Sequence, residues 1–424
     1  MNEPKPTSRN PWAWIPSLYF AEGLPNVLVA TVSVVFYKNL GLTNAAAAFY
    51  TSWLYLPWVL KPLWSPVVDA WRTRREWICR MQLILGAAFA GVALTLPASH
   101  FVQYSLALFW LIAFSSATHD IAADGFYILA NPERTQAAFS GVRSVAFNIA
   151  KIFAQGALVA LAGLAKDQCG NFVIAWMLVF TVVAAIFLWL AMYHRWALPK
   201  PEGDMPGNAD SVKAANFLAV FADYFRKPQI ALLLAFLLLY RLGEAQLLKI
   251  AQPFLLDPRA VGGLGLSNQA LSLVYGTVGL VALICGGLLG GILISRRGLR
   301  FWLWPMLVAI HLPDAVFIWL AYAQPQNVCA IGAGVALEQF GYGFGFAAYM
   351  LYMIYIARGR HATAHYAICT GFMALGLMLP GMWSGWLQEQ LGYRHFFVWV
   401  IFATIPSFLV ALKIPLDAEF GKKN

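Results

Sequence analysis

Apolar runs recur along the whole chain at 12–37, 44–68, 77–98, 102–130, 137–164 and 171–194, and again at 228–256, 268–294, 301–322, 327–357, 362–388 and 393–412. At about 1.5 Å of rise per residue, each is long enough to cross a hydrocarbon core of about 30 Å as a helix, some with tilt. None alternates polar and apolar positions with period two, which excludes a transmembrane β-barrel. Between the sixth and seventh runs lies HRWALPKPEGDMPGNADSVKAANF, which contains the longest polar stretch of the sequence. The pattern predicts an all-α membrane protein with twelve transmembrane helices. They divide into two pseudo-symmetric six-helix bundles, 1–194 and 228–424, joined by a cytoplasmic linker at 195–227.

Composition agrees with a lipid environment. Of the 424 residues 60% are hydrophobic and 11% charged, whereas a soluble domain carries about 25% charged residues. The net charge of +10 could point to nucleic acid, but the basic residues are spread over many short loops and form no single stripe. The cysteines (Cys79, Cys169, Cys285, Cys329, Cys369) lie far apart, without CxxC or a Cys/His cluster, so neither disulfides nor a structural metal are expected. No Walker motif, HExxH or GxSxG occurs, and the histidines fall on separate helices or loops. The reading is therefore a transporter driven by something other than ATP, not an enzyme, with no cofactor. The polar start MNEPKPTSRNP and the lack of a nearby cleavage site make the first apolar run a retained helix.

Basic residues fix the expected orientation. Arg72, Arg74, Arg75 and Arg80, then Arg134, Arg195 and Lys200, Arg226 and Lys227, Arg296, Arg297 and Arg300, and Arg358 occupy every second loop. The alternate loops hold Lys38, Lys166, Arg259 and Arg394. Positive residues favour the cytoplasmic side, which places both termini in the cytoplasm of a multi-pass inner-membrane protein.

Charges inside the apolar runs carry the candidate chemistry, because a charged side chain at mid-bilayer costs about 3 kcal/mol and so faces a cavity or a partner. The first half places Glu22 in the first helix, His119, Asp120 and Asp124 in the fourth, and Arg143 and Lys151 in the fifth. Counted from the helix ends, Glu22 and Asp120 lie about 15 Å deep, Arg143 about 9 Å and Lys151 about 21 Å. Asp120 and Asp124 share one helix face, and Arg143 can neutralise either. A carboxylate beside both a base and an apolar wall can have its proton affinity moved in either direction. A proton-coupled carrier needs such a site, so Asp120 or Glu22 is the candidate proton carrier and Arg143 its switching partner. The alternative is a static ion-pair network that holds the helices together. His119 points about 100° away from Asp120 and reads as a packing residue or a partner for a neighbouring helix.

The second half has Arg241, Glu244 and Lys249 in the seventh helix, His311 and Asp314 in the ninth, Glu338 in the tenth and His365 in the eleventh. Arg241 and Glu244 are spaced to pair locally. Glu338 begins EQFGYGFGFAAYM, whose glycines permit bending or close helix packing. The proton-coupling and cavity set is then Glu22, Asp120, Asp124, Arg143, Lys151, Glu244 and Glu338. Trp53, Tyr55, Trp58, Tyr342, Tyr349, Trp383 and Trp386 either line a cavity or form core and interfacial belt.

The halves are weakly alike: LYFAEGLP (Leu18 to Pro25) matches LYRLGEAQ (Leu239 to Gln246), and both halves carry a basic loop between their second and third helices. Two six-helix halves around a central cavity resemble the major facilitator plan. Asp69 with Arg72, Arg74 and Arg75, and in the second half Arg296 and Arg297, resemble the loop signature of that superfamily, which implies a latch on the outward-facing state. The first half has Lys61-Pro-Leu-Trp-Ser-Pro in place of the usual glycines, and the second keeps Gly286, Gly287, Gly290 and Gly291 but lacks the Asp. A plain positive loop is the alternative.

PSLYFAEGLPNVL, WLYLPWVLKPLWSPVVD, FSSATHDIAADGFYI and SGVR resemble the AmpG-type muropeptide permeases and their kin, which include acetyl-CoA transporters and single-chain siderophore permeases. The shared residues are Gly23, Leu24 and Pro25; Lys61, Leu63, Trp64, Ser65, Pro66 and Asp69; Asp120, Ile121 and Asp124; and Gly141 and Arg143. They cover the first ~150 residues, while the second half matches mainly by length and topology. The resemblance implies import of a bulky polar solute with protons, for the muropeptide branch an anhydro-muropeptide. A siderophore or another organic acid is the alternative cargo, since many muropeptide permeases carry two further helices and Glu22 and His119 depart from their pattern. The expected partners are the solute, protons and lipid; a monomer that binds no nucleic acid is expected.

Overall fold

The computed structural model describes residues 9–205, 214–359, 361–417 and 420–422, with the backbone but not the side chains of 66, 67, 69, 70, 133, 137, 140, 214–218, 362 and 363. All described secondary structure is helical. The elements are α1 (Ile15–Val27), α2 (Ser33–Asn39), α3 (Asn44–Trp53), α4 (Leu56–Trp71), α5 (Arg74–Thr95), α6 (Phe101–Ala130), α7 (Glu133–Ile152), α8 (Val159–Cys169) and α9 (Phe172–Ala197). After them come α10 (Ala214–Phe225), α11 (Ile230–Leu239), α12 (Leu242–Leu256), α13 (Asn268–Leu273), α14 (Leu280–Arg297), α15 (Leu299–His311), α16 (Ala315–Ala323), α17 (Val328–Ala357), α18 (Ala362–Ala403) and α19 (Ile405–Ala411).

Among the described residues ten segments are long and apolar enough to cross a membrane. The expected run at 44–68 is not one of them, because a turn at Leu54–Tyr55 divides it into α3 and α4, each under 18 residues. The last two expected runs form a single segment, Ala364–Ala411. Gly392 within it has φ 69° and ψ 163°, so the chain leaves the helical region there. Single π-helical turns join α1 to α2, α7 to α8 and α13 to α14, at Leu28–Val32, Phe153–Leu158 and Val274–Gly279. The first follows Pro25, which has no N–H to continue the α ladder.

The chain gathers into two compact units. The first takes its described residues from Met1–Val32 and Leu60–Ala214, the second from Ser33–Val59 and Ala215–Asn424. In the first unit α5 packs on α6 and α9, and α1 on α7. At Gly23 the α1 backbone runs against α7: a Cβ there would sit 3.0 Å from both Ala150 Cβ and the Phe147 carbonyl oxygen. In the second unit α17 packs on α14 and α15, while α18 takes α3 and α12. Its aromatic core includes Tyr240 stacked on Tyr349 at 4.8 Å and Phe236 tilted against Tyr352 at 4.5 Å.

Small residues set the α14–α17 distance. A Cβ on Gly343 would lie 2.0 Å from the Leu283 oxygen, and one on Gly286 2.1 Å from the Phe340 oxygen. Both obstacles are backbone and cannot swing aside. Gly343→Ala therefore separates two helices that pack backbone to backbone, a loss of about 2–3 kcal/mol. Its thermal melting in lipid should fall well below that of Gly291→Ala, whose Cβ would meet nothing within 4 Å. Equal melting of the two variants would contradict this packing.

Candidate functional site

The first unit collects the charged residues of α1, α4, α6 and α7. Arg143 Nη2 donates to Asp124 Oδ1 at 2.5 Å, and the Tyr19 hydroxyl donates to the same oxygen at 3.1 Å. The Arg143 guanidinium is sandwiched between the rings of Tyr19 and Tyr127, at 4.2 and 4.3 Å. The Tyr127 hydroxyl donates to the Gln136 carbonyl at 2.5 Å. One helical turn earlier on α6, Asp120 Oδ2 lies 3.8 Å from Lys61 Nζ of α4.

Glu22 completes the group from α1. Its Oε2 is buried without a hydrogen-bond partner among the described residues. Asp120, Asp124, Lys61 and Arg143 all act on it electrostatically. With every group ionised, Glu22, Asp120, Asp124, Lys61 and Arg143 together carry a net charge of −1, and a single added proton makes these five neutral. Lys151, two turns along α7 from Arg143, has its Nζ 5.3 Å from the Phe147 ring centre. Sequence reasoning placed Arg143 with either aspartate. The structure joins it to Asp124 and gives Asp120 to Lys61. Lys61, Tyr19 and Tyr127 were absent from the candidate set, although a lysine inside an apolar run was a signal for the first.

His119 faces away from Asp120 into a buried polar chain. Its Nε2 is 2.9 Å from the Gln82 Nε2, the Gln82 Oε1 is 2.9 Å from His194 Nδ1, and His194 Nε2 is 2.9 Å from Ser17 Oγ. These contacts tie α6, α5, α9 and α1 together, and every buried polar group of such a chain is costly to leave unpaired.

The second unit has its own buried charges. Arg241, at the break between α11 and α12, makes a two-pronged pair with Glu244, 2.6 Å from Nε to Oε2 and 3.0 Å from Nη2 to Oε1. It also donates to the Tyr342 hydroxyl at 2.6 Å. The local pairing expected from their spacing is thus present. Glu338 accepts from Gln339 Nε2 at 3.0 Å, and Lys249 donates to Thr51 Oγ1 at 3.0 Å. Sequence reasoning missed Asp257 altogether. It takes Lys38 Nζ at 2.8 Å on one oxygen, and on the other the Tyr393 hydroxyl at 2.5 Å and Asn44 Nδ2 at 3.3 Å.

The expected latch residues are held as follows. Arg74 and Arg75 lead α5, and their backbone N–H groups donate to Asp204 at 2.7 and 3.1 Å, while the Glu76 N–H donates to Thr73 Oγ1 at 3.1 Å. Three of the four N–H groups orphaned at a helix start are thereby satisfied. The Arg75 guanidinium donates to the Arg195 and Leu198 carbonyls, and Arg72 makes an exposed pair with Glu76 at 3.5 Å. Arg296 and Arg297 end α14, with Arg297 4.9 Å over the Phe301 ring. The Asp69 side chain and linker residues 206–213 lie outside the described residues.

Comparison with known proteins adds the lineage. The model of the Major Facilitator Superfamily matches residues 17–379. The anhydromuropeptide permease of Escherichia coli strain K12 is 25% identical over 419 residues, covering 96% of this chain and 80% of that protein. A putative transporter, AmpG 4, of Rickettsia conorii is 24% identical over 409 residues, 93% of this chain and 94% of its own length. Among solved structures, the nucleoside transporter NupG (D323A mutant) superposes with a TM-score of 0.71 at 14% identity, covering 95% of this chain and 99% of that one. A D-xylose–proton symporter gives 0.68 at 11% identity, covering 97% and 98%.

Proposed function

This chain belongs to the major facilitator superfamily, a multi-pass membrane transporter, and we propose that it imports a bulky polar solute together with protons, the solute being an anhydro-muropeptide or a related amino-sugar glycopeptide. The observation that carries the proton coupling is Glu22 Oε2, buried without a hydrogen-bond donor among the described residues, with Asp120, Asp124, Lys61 and Arg143 acting on it electrostatically. A buried carboxylate without a donor is costly as an anion and inexpensive as an acid. The cargo rests on near full-length similarity to the anhydromuropeptide permease of Escherichia coli.

In this reading Asp120 or Glu22 carries the proton, and Arg143 holds Asp124 until the proton arrives. Lys151 in the first unit, and Glu244 and Glu338 in the second, take part in proton coupling or cavity lining. The chain works as a monomer without catalysis or cofactor, in an inner membrane, with both termini cytoplasmic. It is built as six-helix bundles over 1–194 and 228–424 with the linker at 195–227. Asp69, Arg72, Arg74, Arg75, Arg296 and Arg297 serve as the conformational latch.

Asp120→Asn tests the coupling. It removes the titrating group but keeps its shape, so proton-driven uptake into vesicles should be abolished while expression and thermal melting stay near wild type. If the variant instead fails to fold, the cluster is a static brace and the coupling reading fails.

A further inference from the structure

The helix that begins at Leu299 is broken by Pro313, and the break presents an acid and an imidazole that no step above uses. α15 ends at His311 and α16 starts at Ala315, with the single turn Leu312–Asp314 between them. Proline supplies no N–H and pushes off the carbonyl four residues back, here that of Ala309. α17 comes up against that break at Gly341, where a Cβ would lie 2.2 Å from the Ala309 oxygen and 2.8 Å from Pro313 Cγ. In membrane carriers, interrupted helices are where ions and polar groups are held, because the freed backbone and nearby side chains must satisfy one another.

The hydrogen positions can be worked out from the partners. Ser407 Oγ lies 2.6 Å from the Thr404 carbonyl, so its one proton is committed there. Its other contact is His311 Nε2 at 3.0 Å, so Ser407 must accept and His311 must donate from Nε2. A neutral His311 then carries a lone pair on Nδ1, which lies 4.0 Å from Asp314 Oδ2. The Asp314 side chain has a relative exposure of 0%, and neither of its oxygens has a hydrogen-bond partner among the described residues. His311 Nδ1 and both Asp314 oxygens are thus acceptors left without a donor in an apolar interior, an arrangement that a proton on Asp314 relieves.

The groups that bear on the pair from neighbouring elements are Glu338 of α17, which acts on Asp314, Glu244 of α12, Arg241 at its cap, and Tyr240, whose backbone carbonyl reaches the His311 imidazole and whose ring lies at 6.2 Å. Arg241 is engaged by Glu244. Asp314 and Glu338 are therefore two buried acids, with the His311 imidazole 4.0 Å from the first.

We infer that Asp314 and His311, with Glu338 beside them, form a second proton-binding site, in the second unit, separate from the cluster of Glu22, Asp120 and Asp124. Asp314 holds the proton as a carboxylic acid and passes it to Nδ1 of His311. Transfer leaves a carboxylate beside an imidazolium, and return restores two neutral groups, so no other reactant is needed. Ser407 is a positioning residue that fixes the imidazole tautomer. The site's part in transport rests on the proton-coupled reading above, but its proton can be detected without any cargo.

Infrared difference spectroscopy of the full chain in lipid vesicles, stepped from acid to alkaline buffer, reads the proton directly. Wild type should show the carbonyl band of a buried, protonated carboxylic acid. Asp314→Asn should lose the aspartic acid part of it and leave the part due to Glu22 and Glu338, and Asp314→Glu should restore the lost part at a shifted frequency. Ser407→Ala should move the pH at which the band disappears, whereas Ser407→Thr should restore it. Thermal melting of each variant separates loss of the band from loss of the fold. Should Asp314→Asn melt, labelling aspartate carboxyls with carbon-13 in wild type, with Asp314→Glu as the comparison, assigns the band. A band unchanged by removal of Asp314, or no aspartic acid band in wild type at any pH, overturns the site. Failure of muropeptide uptake alone leaves it standing.

Discussion

Arg143→Met is expected to slow proton-driven uptake by roughly a hundredfold while leaving a folded protein. The side chains of Arg143 and Asp124 keep relative exposures of 30% and 44%, so their pair contributes about 1 kcal/mol or less to stability. Function depends on the same contact far more strongly. Without the guanidinium, one more negative charge among Glu22, Asp120 and Asp124 loses its counter-charge, and such a charge within the membrane costs about 3 kcal/mol. At about 1.4 kcal/mol per factor of ten, that is roughly a hundredfold loss of transport. Arg143→Lys keeps the charge but gives up the planar group stacked between Tyr19 and Tyr127, so it should recover only part of the rate. Uptake rates in vesicles beside melting temperatures check this. A variant that transports normally, or one that melts, would contradict the assigned role.

The second large effect concerns stability. Arg241 and Glu244 have side-chain exposures of 4% and 0% and bond through both prongs of the guanidinium. Removing one member leaves a buried charge, at a cost of about 3–5 kcal/mol, whereas removing both exchanges the pair for apolar contacts at little cost. Arg241→Leu or Glu244→Leu alone should therefore fail to fold or melt far below wild type, and the double variant should recover most of the melting temperature. The Tyr342 hydroxyl loses its partner in the double variant, which limits the recovery by about 1 kcal/mol. Additive losses in the double variant would show that the two residues are not coupled.

The membrane class, the helical segments and the charged interior were legible because lipid imposes a strong constraint: apolar length and the rarity of buried charge are both written in one dimension. The break of the second run at Leu54–Tyr55 was not legible, since both pieces are apolar and the turn depends on what packs around them. The π-turns were hidden for the same reason.

Within the site, the sequence identified Arg143, Asp120 and Asp124 but not which aspartate Arg143 meets. Positions four apart on one helix share a face, and only the packing of α6 against α7 and α4 decides the partner. Lys61 stands in the Lys61-Pro-Leu-Trp-Ser-Pro run, where it reads as part of a motif and not as the partner of Asp120. Asp257 was invisible because its partners Lys38, Asn44 and Tyr393 lie more than 130 residues away in the chain or on its far side. Asp314 and His311 were visible as charges, but the lone pair that turns them into a pair follows only from Ser407, a residue with no signal of its own.

The most direct measurement is uptake of labelled anhydro-muropeptide by the full chain in proteoliposomes under an inward proton gradient, beside a panel of ferric siderophores. Muropeptide should accumulate, and a protonophore should collapse the accumulation. Siderophore uptake, uptake indifferent to the protonophore, or no uptake of either class would contradict proton-coupled import of a muropeptide.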